Sequence, residues 1–324
     1  TLFRSLYSGV AGLRNHQTRM DVIGNNIANV NTPGYKKSQT LFSESIYNTL
    51  SAGSNGTARV GGVNPSQVGY GVNIGSISMD MSTASFNADG DAMHCMINGD
   101  GFFLTGEKSA AGDVVDPQNL NLSRVGDFQF DSQGYLVDGR GQVVYGWVTR
   151  SSDAAGAIIA EPGTVGDTND FKTSGQLVPI RLPLAAVKDD EPAGAKAGDT
   201  IYPGVDANGL NVYPTESLDP IALDSISIDK KTGKITGNLK DGGDPVVVGY
   251  IALGSVANPN GVTRQDNGYY KAGEGAGKCT ALSIGDAMNG VNINNQTTDG
   301  VAIGSAGQTM LLTGGLESSG TDLA

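Results

Sequence analysis

Histidine and cysteine, the side chains most often used for nucleophilic and acid–base chemistry, are scarce in this sequence. The chain contains two histidines, His16 and His94, and two cysteines, Cys95 and Cys279. Adjacent residues of a strand face opposite sides, so His94 and Cys95 are not expected to act as base and nucleophile. Cys279 follows Lys278 in a glycine-rich segment, where a neighbouring cation would lower the pKa of an exposed thiol. These residues are too few for a zinc site or a disulfide framework, and the two cysteines are predicted to stay unpaired.

Carboxylates are plentiful but are not arranged like a catalytic or metal site. Asn87, Asp89 and Asp91 resemble the start of an EF-hand loop. Ala92 stands where that loop needs glycine, and Asn98 stands where it needs a bidentate glutamate, so calcium binding is not expected. No phosphate-binding GxGxxG or GxxxxGK[ST] pattern appears. The sequence therefore predicts no catalytic, cofactor-binding or metal-binding residue, no cofactor, and a protein that is not an enzyme.

Charge and composition exclude several other classes of partner. The 324 residues include 21 Lys and Arg against 33 Asp and Glu, a formal net charge of -12, which disfavours nucleic acid and anionic membrane surfaces. No apolar run approaches the roughly 18 residues of a membrane helix, and no cleavable export signal is visible. The 48 glycines predict many turns and short strands.

The first 30 residues predict a long helix with one narrow apolar stripe. Apolar side chains alternate three and four positions apart, as in a coiled-coil seam, and residues 29–34 end the pattern because Pro33 and Gly34 favour a turn. The stripe is predicted to be an assembly interface, and docking on the core of its own domain is the alternative. Its residues are Phe3, Leu6, Val10, Leu13, Met20 and Ile27.

The rest of the chain predicts a mainly β, elongated, multi-domain protein. Residues 31–71 read as an extended linker with a possible short helix at 40–50, and residues 72–147 and 217–313 as a β-rich middle domain. Residues 148–216 read as an inserted outer β module. Residues 314–324 are predicted to start a C-terminal helix that this sequence lacks, with Leu316 and Leu323 seven apart as a partner seam for the N-terminal stripe.

The N-terminal segment SLYSGVAGLRNHQTRMDVIGNNIANVNTPGYKK strongly resembles bacterial flagellar axial proteins, the rod and hook family. Further resemblance lies in NPSQVGYGV (64–72), INGDGFF (97–103), YGW (145–147), ANPNGV (257–262) and GGLESSGTDL (314–323). NPSQVGYGV and the insertion after YGW are more similar to the hook members than to the distal rod members, which remain the alternative within the family.

The resemblance implies a structural subunit that polymerises with itself into a flexible curved tube transmitting torque from rod to filament. It further implies contacts with rod, hook cap and hook-filament junction proteins. Export through the flagellar type III apparatus without signal cleavage, and an extracellular place in the flagellum, are implied as well. A secreted β-rich carbohydrate-binding protein or enzyme is the alternative from a different class. An enzyme of this kind requires convergent His, Asp and Glu side chains or a cleft with paired carboxylates, which the sequence does not offer.

Overall fold

The structure, a computed structural model, describes residues 2–56, 59–109, 115–148, 177–185, 200–201, 204–205, 211–212, 220–240, 245–285 and 304–321. Within these residues the chain is mainly β and begins with a long helix, which confirms the predicted mainly β class with an N-terminal helix. The chain forms two compact units. Unit 1 comprises Thr1–Ser82 with Ser319–Ala324, and unit 2 comprises Thr83–Ser318.

Helix α1, Leu2–Ala28, occupies almost the whole range predicted from the apolar spacing. After it the backbone N–H of Asn29 still donates to the carbonyls of Asn25 and Asn26, and the N–H of Thr32 donates to Asn29. Gly34 then adopts a φ of 66°, a conformation that glycine reaches without steric cost. The predicted turn at residues 29–34 is therefore where the chain leaves the helix.

The strands of unit 1 are β1 (Ser38–Glu44), β2 (Tyr47–Ser51), β3 (Ser66–Gly69) and β4 (Val72–Met79). β1 pairs antiparallel with β4, and β2 pairs antiparallel with β3. The short helix considered for residues 40–50 is wrong. Residues 38–42 alternate between half-buried and exposed, because an antiparallel partner strand is available and their burial follows a period of two. Most of the predicted linker is thus paired, and the predicted domain division stays a prediction.

Unit 2 consists of short strands. In its first half these are β5 (Phe86–Ala88), β6 (Cys95–Asn98), β7 (Phe102–Gly106), β8 (Asn121–Ser123), β9 (Phe128–Phe130), β10 (Leu136–Asp138), β11 (Val143–Trp147) and β12 (Val178–Pro179). They continue with β13 (Leu184–Ala185), β14 (Thr200–Ile201), β15 (Gly204–Val205), β16 (Asn211–Val212), β17 (Leu223–Ile228) and β18 (Lys234–Leu239). The last are β19 (Val246–Ser255), β20 (Thr263–Arg264), β21 (Tyr270–Lys271), β22 (Thr280–Ser283), β23 (Gly304–Ser305), β24 (Met310–Thr313) and β25 (Gly315–Glu317). Single 3₁₀ turns lie at Pro117–Asn119, Pro259–Gly261 and Asp266–Gly268.

A 13-stranded sheet holds the core of unit 2, with the order β17-β18-β19-β11-β7-β8-β21-β20 along its main path. β19 is the longest strand and is buried along nearly all of its length, as its apolar sequence predicts. It pairs with β18, β11, β7 and β22. The core side chains beneath these strands include Ile97, Phe103, Phe128, Leu136, Val144, Ile251 and Leu253.

Aspartates stabilise the tight turns of this sheet. Asp131 Oδ1 accepts from the backbone N–H groups of Gln133 and Tyr135, and Asp138 Oδ1 accepts from those of Arg140 and Gln142. The sequence supplies the same side chain at the start of both turns because a short carboxylate reaches its own backbone two to four residues on. Asp131 and Asp138 therefore have a structural role in these turns.

The predicted outer module, residues 148–216, differs from the structure at its described parts. Val178 and Pro179 of β12 pair with β11, and Ile180 and Leu182 belong to the core of unit 2. The apolar run at 177–182 is therefore part of the middle unit, since its side chains fill that core. β13 pairs with β14 and β15 with β16, and the remainder of the module lies outside the described residues.

The predicted start of a C-terminal helix is wrong at residues 315–317, which form β25. Leu316 lies opposite Asn87 of β5 in an antiparallel ladder, because an unpaired edge of β5 is available to receive these residues. Beyond it, the N–H of Gly320 donates to the carbonyl of Tyr35, 2.8 Å away, and Thr321 Oγ1 donates to the carbonyl of Asn26 at 3.2 Å. Leu323 lies outside the described residues.

Candidate assembly surface on the N-terminal helix

Helix α1 docks within unit 1 through a face of small and polar residues. The half-buried positions recur three or four apart, which is one face of a helix. They are Ser8, Ala11, Gly12, Asn15, Thr18, Val22 and Asn26. The helix therefore packs on the strands of unit 1 with its small and polar face. Hydrophobicity alone would have predicted packing through the apolar face.

Asparagine side chains join this face to the strands. Asn26 Nδ2 donates to the carbonyl of Ser38 at 2.8 Å, and Asn26 Oδ1 accepts from the N–H of Ser38 at 3.0 Å. Tyr35 Oη donates to the same Asn26 Oδ1 at 3.0 Å. Asn15 Nδ2 donates to the carbonyl of Val72. Because Asn26 satisfies both backbone groups of one residue, it acts as a side-chain continuation of the strand pairing.

An aromatic contact completes the docking. The rings of His16 and Phe42 meet edge to face with centroids 5.3 Å apart, and the guanidinium of Arg19 lies 5.6 Å from the centroid of the Phe42 ring. Such contacts contribute about 0.5–1.5 kcal/mol beyond burial. The sequence signal for this face is the row of asparagines and small residues, which a search for hydrophobic spacing passes over.

The predicted apolar stripe is left uncovered. Leu6, Leu13 and Met20 are 66%, 73% and 67% exposed, and Val10 and Ile27 are exposed as well. Tyr7 and Ile23, which the heptad pattern did not single out, widen the exposed surface. We call Leu6, Val10, Leu13, Met20 and Ile27 the α1 stripe. Docking of this stripe on its own core is wrong for these side chains; the side chain of Phe3 is outside the described set.

A second apolar surface lies beside the helix. Leu50 and Val68, on the β2–β3 hairpin, and Ile46 just before it are all at least half exposed. An open cleft of about 540 Å³ lies between this hairpin and the N-terminal part of α1, and Tyr7 and Tyr47 are among its lining residues. Unit 1 therefore presents to its surroundings both an apolar ridge and a cleft lined by polar and apolar side chains.

The cysteines do not form a reactive site. Cys95 and Cys279 are buried free thiols. Burial, together with the nearby carboxylate of Asp116, raises the pKa of Cys279 to about 11, so the hypothesis of a thiol activated by Lys278 is wrong. Burial likewise raises the pKa of Cys95 far above its usual range. His94 is in contact with Asp89 rather than with the thiol beside it.

Other chemistry is also missing from the part of the chain that the structure describes. Among those residues, no group of three or more histidine, cysteine, aspartate or glutamate side chains is placed to hold a metal ion. None of the described helices is both long enough and apolar enough to cross a membrane.

Comparison with known proteins gives consistent matches to flagellar axial proteins. A family model for flagella basal body rod proteins matches residues 6–36. A flagellar hook protein, FlgE, of Borreliella burgdorferi is 41% identical over 171 residues, 52% of this chain and 36% of that protein. A flagellar basal-body rod protein, FlgG, of Bacillus subtilis is 39% identical over 170 residues, 51% of this chain and 60% of that protein. The hook protein of Treponema pallidum is 42% identical over 158 residues, 48% of this chain and 31% of that protein.

The predicted resemblance to the flagellar rod and hook proteins is confirmed by these matches. The alignments span 31% to 36% of the two hook proteins and 60% of the rod protein. These relatives are, by name, a hook protein and a basal-body rod protein of the flagellum. The family model covers most of α1 and the turn after it, so the α1 stripe lies within the matched region.

Proposed function

We propose that this chain is a structural subunit of the bacterial flagellar hook, which polymerises with itself through the α1 stripe. The observation that carries the proposal is the orientation of α1. Its small and polar face meets β1 and β4, whereas Leu6, Leu13 and Met20 remain exposed. An apolar stripe of this length outside the monomer's core is typical of an interaction surface.

The geometry of unit 1 favours an open polymer over a closed pair. A ridge and a cleft at different places on one unit form a heterologous contact, and heterologous contacts that do not close generate helical filaments. The ridge is the α1 stripe, and the cleft lies between α1 and the β2–β3 hairpin. A tube of repeating subunits is the assembly that such a contact produces.

The hook is preferred to the distal rod as the place of this subunit. Hook proteins of several organisms resemble the chain at 34% to 42% identity, and a rod protein resembles it at 39%. The motifs NPSQVGYGV and YGW followed by an insertion favour the hook as well. Rod, hook cap and hook-filament junction proteins, together with the flagellar export apparatus, are the further partners in this proposal, and the flagellum outside the cell is the location.

Electron microscopy of negatively stained protein tests the proposal. The full-length protein is expected to form tubes under polymerising conditions, and Leu6→Gln with Leu13→Gln is expected to abolish them. Both side chains are exposed, so the double variant should keep the circular dichroism spectrum of the monomer. Met310→Gln, a change at an exposed apolar residue of unit 2, is the matched control and should leave tubes intact.

The result distinguishes the proposed function from the alternatives. Tubes formed equally well by the Leu6 and Leu13 double variant would contradict assembly through the α1 stripe. A protein that stays monomeric as the wild type and binds oligosaccharides would instead support the carbohydrate-binding alternative.

A further inference from the structure

Unit 2 contains an interruption in a two-stranded ribbon, where six residues of one segment lie opposite one residue of the other. β5 pairs with β25, β6 pairs with β24, and residues 89–94 lie opposite Gly314 between these two ladders. The N–H groups of Asp89 and Gly90 donate to the carbonyl of Gly314 at 3.1 and 3.2 Å, and the N–H of Gly314 donates to the carbonyl of His94 at 2.8 Å. We call residues 89–94 with Gly314 the ribbon bend. β5 and β25 are the strands nearest to the points where the chain enters and leaves unit 2.

The imidazole of His94 lies between two carboxylates of the ribbon bend. Nδ1 lies 2.5 Å from Asp89 Oδ2, and Nε2 lies 3.9 Å from Asp91 Oδ2. The side chains of His94 and Asp89 are 25% and 34% exposed, so protons reach them from solvent. The carboxylates also organise the backbone, since Asp89 Oδ1 accepts from the N–H of Asp91 and Asp91 Oδ1 accepts from that of Met93.

The number of protons on the imidazole decides how many carboxylates it can hold. A neutral imidazole carries one N–H, and its other nitrogen is an acceptor. When Nδ1–H donates to Asp89, the neutral ring turns a lone pair toward Asp91, which repels that carboxylate. The imidazolium carries N–H groups on both nitrogens and attracts Asp89 and Asp91 together.

The other charged groups nearby do not substitute for this contact. The backbone of His94 forms a bridge with Asp127, whose carboxylate interacts with Arg140 and with the N–H of Gly139. On the opposing strand, Glu317 accepts from the N–H of Ala84 at 2.8 Å. Each of these two carboxylates therefore already accepts a hydrogen bond at one of its oxygens.

We propose that His94 is a proton-operated clasp of the ribbon bend, which tightens the contact of residues 89–94 with Gly314 when the imidazole is charged and loosens it when the imidazole is neutral. The hydrogen bond from His94 lowers the pKa of Asp89 below its usual value of 3.8, so the clasp is lost on the acid side only below that value. The clasp is thus closed while both ring nitrogens of His94 carry protons, and it opens when a rise in pH removes one of them.

Amide hydrogen exchange of the full chain, followed by NMR, tests this proposal at the bend itself. Protection of Gly90 and Gly314 is compared at pH 5.5 and pH 8.0 after correction for the intrinsic exchange rates. Gly141, whose N–H donates to the carbonyl of Asp138 at 2.9 Å, is the internal reference. Relative to Gly141, both amides should be about three- to fivefold better protected at pH 5.5, the size expected of a partly exposed ion pair.

The chain offers a matched control because it contains two histidines. His94→Gln keeps a hydrogen-bond donor but cannot become charged, so it should remove the pH dependence, whereas His16→Gln should retain it. Asp91→Asn keeps an acceptor for Met93 and removes the second carboxylate, and it should remove most of the effect. Equal protection of the wild type at both pH values would overturn the proposal. Persistence of the pH dependence in His94→Gln, or its full retention in Asp91→Asn, would do the same.

Discussion

Asp127 is the residue whose environment predicts an unusual pH dependence of stability. Its Oδ1 is buried without a hydrogen-bond donor, and burial raises the pKa of the carboxyl above 3.8. Because the folded state holds this proton more tightly than the unfolded state, Asp127 contributes stability at low pH that is lost as the pH rises through the folded pKa. We expect Asp127→Asn to reduce this loss, measured as melting temperatures between pH 3.5 and pH 7.

Asp229 is the control, because its contribution to stability should depend on pH in the opposite direction to that of Asp127. Burial would raise the pKa of Asp229, but hydrogen bonds from the hydroxyl and N–H of Thr232 and from the N–H of Lys231 together lower it. Its contribution is therefore present above about pH 3.8 and is lost as the pH falls below that value. Asp229→Ala should destabilise the protein at pH 7 and much less at pH 3. A larger cost at pH 3 would contradict this assignment.

Tyr269 supports a fully buried carboxylate. Its hydroxyl donates to Asp138 Oδ2 at 2.6 Å, and Asp138 is completely buried. Tyr269→Phe removes that donor and should lower the free energy of unfolding by about 1–3 kcal/mol in urea titration, as expected for a buried charged group that loses a hydrogen bond. The exposed Tyr47→Phe is the comparison and should change stability by less than about 0.5 kcal/mol.

At the scale of elements, helix α1 predicts an inverted pattern of mutational sensitivity. Asn26→Ala removes hydrogen bonds to Ser38 and Tyr35 and should destabilise unit 1 by about 1–2 kcal/mol. Leu13→Gln changes a side chain that is 73% exposed and should cost the monomer less than about 0.5 kcal/mol. Thermal melting followed by helical circular dichroism measures both. A leucine change more costly than the asparagine change would show that the stripe is part of the monomer's core.

The elements that could be predicted from the sequence are those with a long, regular pattern of apolar residues. The heptad spacing located α1, and the apolar run of β19 located the central strand, because both signals extend over many residues. The helices predicted at residues 40–50 and from residue 314 are wrong because the strand partners of these segments, β4 and β5, are remote in the sequence. A short segment becomes a strand when such a partner is available, and local sequence does not reveal the partner. Asn15 and Asn26 were missed since a polar docking face carries no hydrophobic period.

On the scale of the whole molecule, unit 2 should fold without α1. Deleting residues 1–30 removes no side chain of the core that contains Phe103, Leu136 and Ile251. We expect the truncated chain to be monomeric and to show one cooperative melting transition from unit 2, detected by near-ultraviolet circular dichroism of buried Trp147. Loss of that transition would mean that the helix supports the sheet.

The predicted outer module, residues 148–216, should tolerate deletion of one part and not deletion of the whole. Replacing residues 149–176 with a short Gly/Ser linker keeps β12 and the core residues Ile180 and Leu182, so the melting transition should be preserved. Replacing the whole predicted module, 148–216, removes those side chains and should cost several kcal/mol, since each large apolar side chain lost from a core costs about 2–5 kcal/mol. Equal stability of both deletions would contradict the placement of residues 177–182 in the core.

The ladder between β5 and β25 decides how unit 2 responds to mechanical load. Phe86 pairs with Glu317 and Ala88 with Gly315, so both connections to unit 1 emerge from the same end of one antiparallel pair. A force that separates the two connections would open this ladder one hydrogen bond at a time, which is the weakest direction in which to pull a strand pair. Immediately beyond the ladder, the N–H of Ser318 donates to the carbonyl of Ser85 at 2.9 Å and joins the two connections. Tension that pulls both connections in the same direction is therefore shared by the two strands and does not separate them.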